Sequence, residues 1–235
     1  MSEDGPIIAS AAICISCVLQ NADLVRFWIL PAYACFTTLI CLHSGMAVSE
    51  ESKSMARGAK LWPLSVQAYR TLGELGLIPK NTELLYGQVF QKMSKSPLDS
   101  ALVRRLLRLL QRVVPADCFV SSEQPITCSD SEPEPDIAVI RGKEDEFWRQ
   151  HPATAEVVIE VCVTSHEYDR SKLRAYAGAG VKEVWFILVP EQQIEVHSEP
   201  REDGFKQRTS HGPGGSFARA VLPGFNVDLV SLFQK

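Results

Sequence analysis

The chain has 235 residues, of which 46% are hydrophobic and 22% charged, so it can form one sizeable globular domain with an extension. This composition excludes a collagen-like chain, a long disordered acidic tail and a small disulfide-rich scaffold. The 24 basic and 28 acidic side chains give a formal net charge of −4, so any contact with nucleic acid has to be local. The seven cysteines have no framework spacing, which favours reduced thiols in the cytoplasm.

Residues 1–45 are more apolar than the rest of the chain. The apolar runs at 7–19 and 27–42 are both shorter than the roughly 18 to 20 residues of a membrane-spanning helix. Acidic residues before the first run argue against a secretory signal. Two interpretations stay open: a membrane segment that leaves the following residues in the cytoplasm, or a non-native start before Met46 or Met55. We predict an apolar extension over 1–45, a polar linker over 46–60 and a folded domain over 61–235.

The folded domain alternates between helix-like and strand-like patterns, which is typical of a mixed α/β domain. An apolar strand that follows a short helix predicts a parallel crossover near the centre of the sheet. A peripheral hairpin (194–198 and 205–209), a short final strand and a turn at 223–224 end the chain. The preceding predicted elements are, in order, a helix over 65–75, a strand over 83–93 interrupted at Gly87, a helix over 98–114, strands over 118–126, 136–140 and 156–163, a helix over 168–179 and a strand over 181–189.

The helix predicted over 98–114 has leucines and valines on one arc and four arginines on the opposite arc: Arg104, Arg105, Arg108 and Arg112. The simpler interpretation is a packed helix with a solvated cationic face. The alternative is a stripe that contacts phosphates, which requires a nuclease site nearby.

Several well-known active-site motifs are absent from the sequence. It has no P-loop, no dinucleotide-binding glycine motif after a strand and no G-x-S-x-G nucleophile turn. The five histidines are scattered without the i, i+4 spacing of a zinc-binding helix. These absences argue against nucleotide-binding, serine hydrolase and zinc protease sites.

Two carboxylates stand out on neighbouring predicted strands. Asp136 follows Pro135 at the start of one strand, and Glu160 lies in the middle of an apolar one. An unpaired buried charge costs several kcal/mol, so Glu160 needs a partner. One candidate partner is Mg²⁺, which accepts one or two carboxylates together with water and phosphate oxygens. The alternative is a simple ion pair with Lys172 or an arginine.

The order of these motifs resembles the PD-(D/E)XK nuclease superfamily, and in particular its Uma-type restriction endonuclease branch. The resemblance covers about 61–233, and residues 1–45 find no counterpart. It implies an α/β fold with a restriction-endonuclease-like three-layer core, in which helices flank a central mixed sheet. The similar segments are 83–87, 134–139, 158–161, 169–176 and 180–185.

The resemblance also implies roles for individual residues. Asp136 and Glu160 are expected to be metal ligands, assisted by the carbonyl of Val161. Glu83 is expected to be the acidic residue contributed before the core sheet.

This chain departs from the family pattern at two positions. The superfamily lysine normally stands two residues after the glutamate, where this sequence has Cys162. Lys172 on the following helix is the expected replacement, and an ordinary solvated lysine is the alternative. Tyr176, one turn further, is expected either to contact substrate or to belong to the core. Asp99 stands where the branch usually has a histidine.

The function implied by the resemblance is a metal-dependent DNA endonuclease that uses Mg²⁺ or Mn²⁺ to hydrolyse phosphodiester bonds in the cytoplasm. DNA is the expected partner, and a homodimer is an open expectation. One alternative is a catalytically decayed nucleic-acid-binding or protein-interaction module, which Cys162 and the acidic total favour. Another is a membrane-tethered partner domain anchored through residues 1–45.

Overall fold

A computed structural model describes residues 60–164 and 166–234 of the chain. A boundary between two units falls between Lys60 and Leu61. The predictions for residues 1–45, and for the linker up to residue 59, lie outside the described residues. Among the helices of the described ranges, none is both long enough and apolar enough to cross a membrane.

The first elements are a helix and a β-hairpin: α1 (Val66–Glu74), β1 (Thr82–Leu85) and β2 (Gln88–Gln91). Ser65 caps α1, because its side chain accepts a hydrogen bond from the amide of Ala68 at 3.1 Å. The prediction of one interrupted strand over 83–93 is wrong. Tyr86 and Gly87 have φ angles of 53° and 74° and form the two-residue turn of a hairpin.

Helix α2 (Pro97–Leu110) begins with a capping box. The Ser96 hydroxyl accepts a hydrogen bond from the Asp99 amide at 3.2 Å, and the Asp99 carboxylate accepts one from the Ser96 amide at 2.8 Å. Asp99, at the position of the family histidine, therefore caps this helix. The helix ends at Leu110 rather than at the predicted residue 114. After it the amides of Arg112 and Val113 bond three residues back, to the carbonyls of Leu109 and Leu110, so the chain continues in a tighter turn.

The central sheet is mixed, as predicted. β5 and β6 run parallel, whereas every other neighbouring pair in the sheet is antiparallel. The predicted peripheral hairpin is confirmed at one edge of this sheet, although its two strands are longer than predicted. The six strands, in spatial order, are β3 (Cys118–Ser122), β4 (Ile137–Arg141), β5 (Val157–Cys162), β6 (Glu183–Leu188), β7 (Gln193–Arg201) and β8 (Gly204–His211).

The connection from β5 to β6 contains two short helices, α3 (Glu167–Ser171) and α4 (Leu173–Gly178), rather than the single predicted helix. They meet at Lys172, whose amide bonds to the carbonyl of Asp169 at 3.1 Å in a tighter, three-residue turn. The next helical turn continues, since the Tyr176 amide bonds to the Lys172 carbonyl at 3.0 Å. The predicted parallel crossover is confirmed.

Alternate residues of β5 face two separate hydrophobic cores. Val157, Ile159 and Val161 pack with the leucines of α2, and Val158 and Cys162 pack with α4. The last elements complete the first core: β9 (Ser216–Ala218), β10 (Asn226–Asp228) and α5 (Leu229–Phe233). The sheet thus lies between two helical layers, which confirms the predicted architecture and puts Glu160 on the α4 face.

Candidate active site

Asp136 and Glu160 lie on the same face of the sheet. The pairing of Ile137 with Ile159 puts Asp136, which directly precedes β4, opposite Glu160. One Asp136 carboxylate oxygen, Oδ2, accepts a hydrogen bond from the amide of Val161 at 2.7 Å. The Oε2 atom of Glu160 lies 3.4 Å from the Asp136 amide nitrogen. The two side chains therefore converge where β4 begins and β5 ends.

Glu160 is only 2% exposed, and hydrogen-bond donors surround it. Its Oε1 atom lies 3.3 Å from the ammonium of Lys172 and accepts a hydrogen bond from the Tyr176 hydroxyl at 2.8 Å. Burial raises the pKa of Glu160 to about 8, although the Lys172 ammonium opposes this shift. Tyr176 is fully buried in the second core and contacts this carboxylate.

Lys172 is a buried residue, so its interpretation as a solvated helix residue is wrong. Its ammonium lies 3.3 Å from Glu83, 3.3 Å from Glu160 and 3.4 Å from Asp169. Burial alone would lower the pKa of Lys172, but these carboxylates raise it well above its usual value. An ammonium has only three protons to donate, and each can face one of these carboxylates.

Glu83 reaches the same cluster from β1, outside the central sheet. It is 1% exposed and accepts hydrogen bonds from the Tyr168 hydroxyl at 2.8 Å and from the Glu134 amide at 2.9 Å. The ring of Tyr168 packs against Phe90 of β2, with the ring centroids 5.8 Å apart. The hairpin therefore brings an acidic group to the crossover helices, and Lys172 bridges it to Glu160.

Cys162 occupies the superfamily lysine position and faces the same acidic cluster. Its sulfur lies 3.5 Å from Oδ2 of Asp169, and the residue is 2% exposed. Burial raises the pKa of the Cys162 thiol, and the nearby Asp169 carboxylate raises it further, so the thiol stays protonated at neutral pH. Lys172, at the junction of α3 and α4, thus contacts Asp169, the same carboxylate that lies beside Cys162 at the usual lysine position.

The sequence analysis did not single out Tyr168 or Asp169 as site residues. A signal was present, because Tyr168, Lys172 and Tyr176 follow one another at intervals of four residues. That spacing places side chains along one side of a helix. Asp169 lies three residues before Lys172, which is the other helical contact distance.

Lys95 is a further site residue that the sequence analysis missed. It precedes α2 in a loop, and its ammonium lies 2.5 Å from Oδ1 of Asp136 and 2.6 Å from Oε1 of Glu123. Burial alone would lower its pKa, but the two carboxylates raise it. The sequence offers no periodic signal for Lys95, since the loop has no repeating geometry.

The site contains more negative than positive charge. Its carboxylates are Glu83, Asp136, Glu160 and Asp169, and the cations in contact with them are Lys95 and Lys172. Within residues 60–164 and 166–234, no group of three or more His, Cys, Asp or Glu side chains has an arrangement that could hold a metal ion. The two carboxylates of Asp136 and Glu160 nevertheless match the oxygen ligands that Mg²⁺ takes from proteins, with water and phosphate completing its shell.

The arginines of α2 lie in the layer on the other side of the sheet from Glu160. Arg104 and Arg108 are exposed there, and Arg112 lies beyond the end of the helix. Arg105 instead donates to the carbonyls of Leu232 at 2.6 Å and of Gln234 at 2.7 Å. This arrangement favours a solvated cationic face in which Arg105 holds the C-terminal segment.

Comparison with known proteins agrees with this architecture. A crystal structure of a "putative nuclease belonging to DUF820 from Anabaena variabilis ATCC 29413" has a TM-score of 0.59 and 19% identity, covering 69% of this chain and 96% of that one. At this identity, the likeness establishes the fold. No curated protein matches the chain. Residues 76–230 match the Uma2 family model, described as "Putative restriction endonuclease". Because this match covers most of the chain, the protein belongs to the Uma2 family.

Proposed function

We propose that this protein is a metal-dependent endonuclease that hydrolyses phosphodiester bonds in DNA. The observation that carries the proposal is the convergence of Asp136 and Glu160 at one edge of the sheet beside a buried ammonium. Membership of the Uma2 family and the nuclease-like fold support the same reaction class. DNA as the partner, a homodimer and a cytoplasmic location stay predictions.

Asp136, Glu160 and the carbonyl of Val161 would hold the cation, Mg²⁺ or Mn²⁺. The amide and carbonyl of a strand residue point to the same side, so the Val161 amide contact with Asp136 suits this assignment. When bound, the cation would polarise the scissile phosphate and make a coordinated water more acidic.

The remaining residues hold the two ligands in position. The Tyr176 hydroxyl and the Lys172 ammonium both bind Oε1 of Glu160, which leaves its Oε2 atom directed towards Asp136. Glu83 and Asp169 fix Lys172 from two further sides. Such preorganisation matters because a ligand that is already oriented needs no rearrangement when charge develops on the phosphate.

The test is cleavage of supercoiled and linear DNA by the full chain in Mg²⁺ or Mn²⁺, compared with EDTA and with Asp136→Asn. The amide side chain preserves the size of Asp136 but removes its charge. We expect nicking that requires the metal and falls by at least about 100-fold in the variant, the scale of losing one essential electrostatic group. Asp145→Asn removes an exposed carboxylate in a 3₁₀ helix elsewhere on the domain and is expected to behave as wild type.

The second candidate is a non-catalytic module that binds nucleic acid or a protein. It is favoured by Cys162 at the usual lysine position and by the ion pair that Asp136 already forms with Lys95. Equal behaviour of wild type and Asp136→Asn, with or without metal, would overturn the endonuclease proposal and favour this module. Retained DNA binding in that case would select the nucleic-acid form of the module.

A further inference from the structure

The two lysines of the site differ in their freedom to meet a substrate. The side chain of Lys172 is 5% exposed, and its ammonium already faces three carboxylates. The side chain of Lys95 is 34% exposed, and within residues 60–164 and 166–234 its ion pairs are those with Asp136 and Glu123. Only Lys95 therefore combines contact with a ligand carboxylate and access to solvent.

A phosphate in the site would compete with strong interactions for the ammonium of Lys172. Moving this ammonium would leave buried carboxylates without a partner, which costs several kcal/mol for a buried pair. If Lys95 moves away, a bound cation can neutralise Asp136 in its place. Glu123, whose side chain is 55% exposed, can then be hydrated by water. Lysine also has a flexible four-carbon stem, so its ammonium can move between neighbouring anions.

We propose that Lys95 is the catalytic ammonium of this site and contacts the scissile phosphate, whereas Lys172 is a positioning residue. The inference rests on the proposed endonuclease function. The Lys95 ammonium forms an ion pair with Asp136. With a cation held at Asp136, the Lys95 ammonium would be free to donate hydrogen bonds to the non-bridging phosphate oxygens. Lys95 transfers no proton: it donates hydrogen bonds while the water oxygen bonds to phosphorus and loses a proton to solvent. The bond to the leaving oxygen breaks with its electron pair on that oxygen, which takes up a proton from solvent.

The experiment compares Lys95→Gln and Lys95→Arg with wild type in the full chain. Lys182→Gln is the matched control, because Lys182 also pairs with a glutamate at 2.6 Å but at the opposite end of β5. Three quantities are measured: the single-turnover cleavage rate in saturating Mn²⁺, the affinity for Mn²⁺ by calorimetry without DNA, and the urea midpoint of unfolding. Asp136→Asn is measured alongside.

For Lys95→Gln we expect a cleavage rate about 100-fold below wild type, as for loss of one preorganised donor. We also expect unchanged or tighter Mn²⁺ binding, because the ammonium no longer competes for Asp136, and an unchanged urea midpoint. Lys95→Arg keeps the charge with a different geometry, so its rate should lie between those of Lys95→Gln and wild type. Lys182→Gln should match wild type in all three measurements.

Cleavage by Lys95→Gln at or above the wild-type rate would overturn the inference, and together with tighter Mn²⁺ binding it would mean that Lys95 only occupies the cation position. Weaker Mn²⁺ binding in Lys95→Gln would also overturn it, since the lysine would then act by building the cation site. If Asp136→Asn is inactive while Lys95→Gln is fully active, the inference fails and the endonuclease proposal stands. If wild type and Asp136→Asn do not differ, the endonuclease proposal fails first.

Discussion

The ammonium of Lys172 lies 3.3 Å from Oε1 of Glu160 in the interior, where the two side chains are only 5% and 3% exposed. The pair connects the central strand β5 to the junction between α3 and α4. Burying two charges carries a desolvation cost that their attraction often does not exceed, so such a pair is weak support for stability. Its position beside Asp136 is better explained by the need to hold a carboxylate in one orientation.

Removal of the Lys172 ammonium should destabilise the domain strongly. Lys172→Met keeps most of the side-chain volume but leaves Glu83, Glu160 and Asp169 without their shared partner. Breaking a buried ion pair in this way costs about 3–5 kcal/mol. Urea unfolding at pH 7, followed by circular dichroism, measures the difference. Lys206→Met is the control, because Lys206 is 62% exposed and its pair with Glu199 should contribute less than about 1 kcal/mol. Equal losses in the two variants would contradict this prediction.

A lysine at position 162, the usual position in the superfamily, should also be able to place its ammonium in the acidic cluster. Cys162 lies beside Asp169, which also binds Lys172. We therefore expect Cys162→Lys, introduced into Lys172→Met, to recover part of the stability and of the cleavage rate lost in the single variant. In a wild-type background the same substitution should destabilise by about 1–3 kcal/mol, because it adds volume and a second ammonium to a filled core. Urea unfolding and plasmid nicking of the four proteins form a double-mutant cycle. Additive losses would show that the ammonium cannot be relocated.

Most of the fold was predictable because its elements carry strong local patterns. The continuous apolar run of β5 and the helix signals after it predicted the parallel crossover, which the sheet confirms. The hairpin of β1 and β2 was not predicted because Tyr86 adopts a positive φ in its turn, and tyrosine is not a residue that marks such turns. Asp136 and Glu160 could be chosen because carboxylates are unusual beside buried strands. Lys95 could not, since its contact with Asp136 depends on how a loop packs against the sheet.

The free energy of unfolding should depend on pH through Glu195, which lies on β7 of the central sheet. Glu195 is fully buried and accepts hydrogen bonds from Arg170, His197 and Arg208. Burial alone would raise its pKa, but these donors lower it to about 2. A lowered folded-state pKa stabilises the fold above the unfolded value of 4.5, and this contribution is lost as the pH falls through about 2.

Glu195→Gln should therefore lower the unfolding free energy by about 3 kcal/mol at pH 7, with a smaller difference from wild type at pH 3. Urea unfolding at both pH values measures this. The more exposed Glu199, paired with Lys206, provides the control Glu199→Gln, which should change stability by less than about 1 kcal/mol at either pH. A loss in Glu195→Gln that does not shrink on acidification would contradict the assignment of a low pKa. Because Arg170 belongs to α3, the variant also tests whether this ion pair holds the crossover helices against β7.

Two glycine-to-alanine substitutions should have opposite effects on stability. Gly87 forms the hairpin turn at a φ of +74°, and a Cβ atom there would lie 2.3 Å from Cβ of Pro63. Gly87→Ala therefore combines backbone strain with a steric clash, and we expect a loss of about 2 kcal/mol or more. Gly73 lies in α1 with no atom near its missing Cβ, so Gly73→Ala should stabilise by about 0.5–1 kcal/mol. Thermal unfolding of both variants measures the two signs.

Because the same hairpin carries Glu83, Gly87→Ala should also reduce DNA cleavage below the fraction expected from the folded population, whereas Gly73→Ala should leave cleavage unchanged. Equal cleavage per folded molecule in Gly87→Ala and wild type would mean that the turn does not position Glu83.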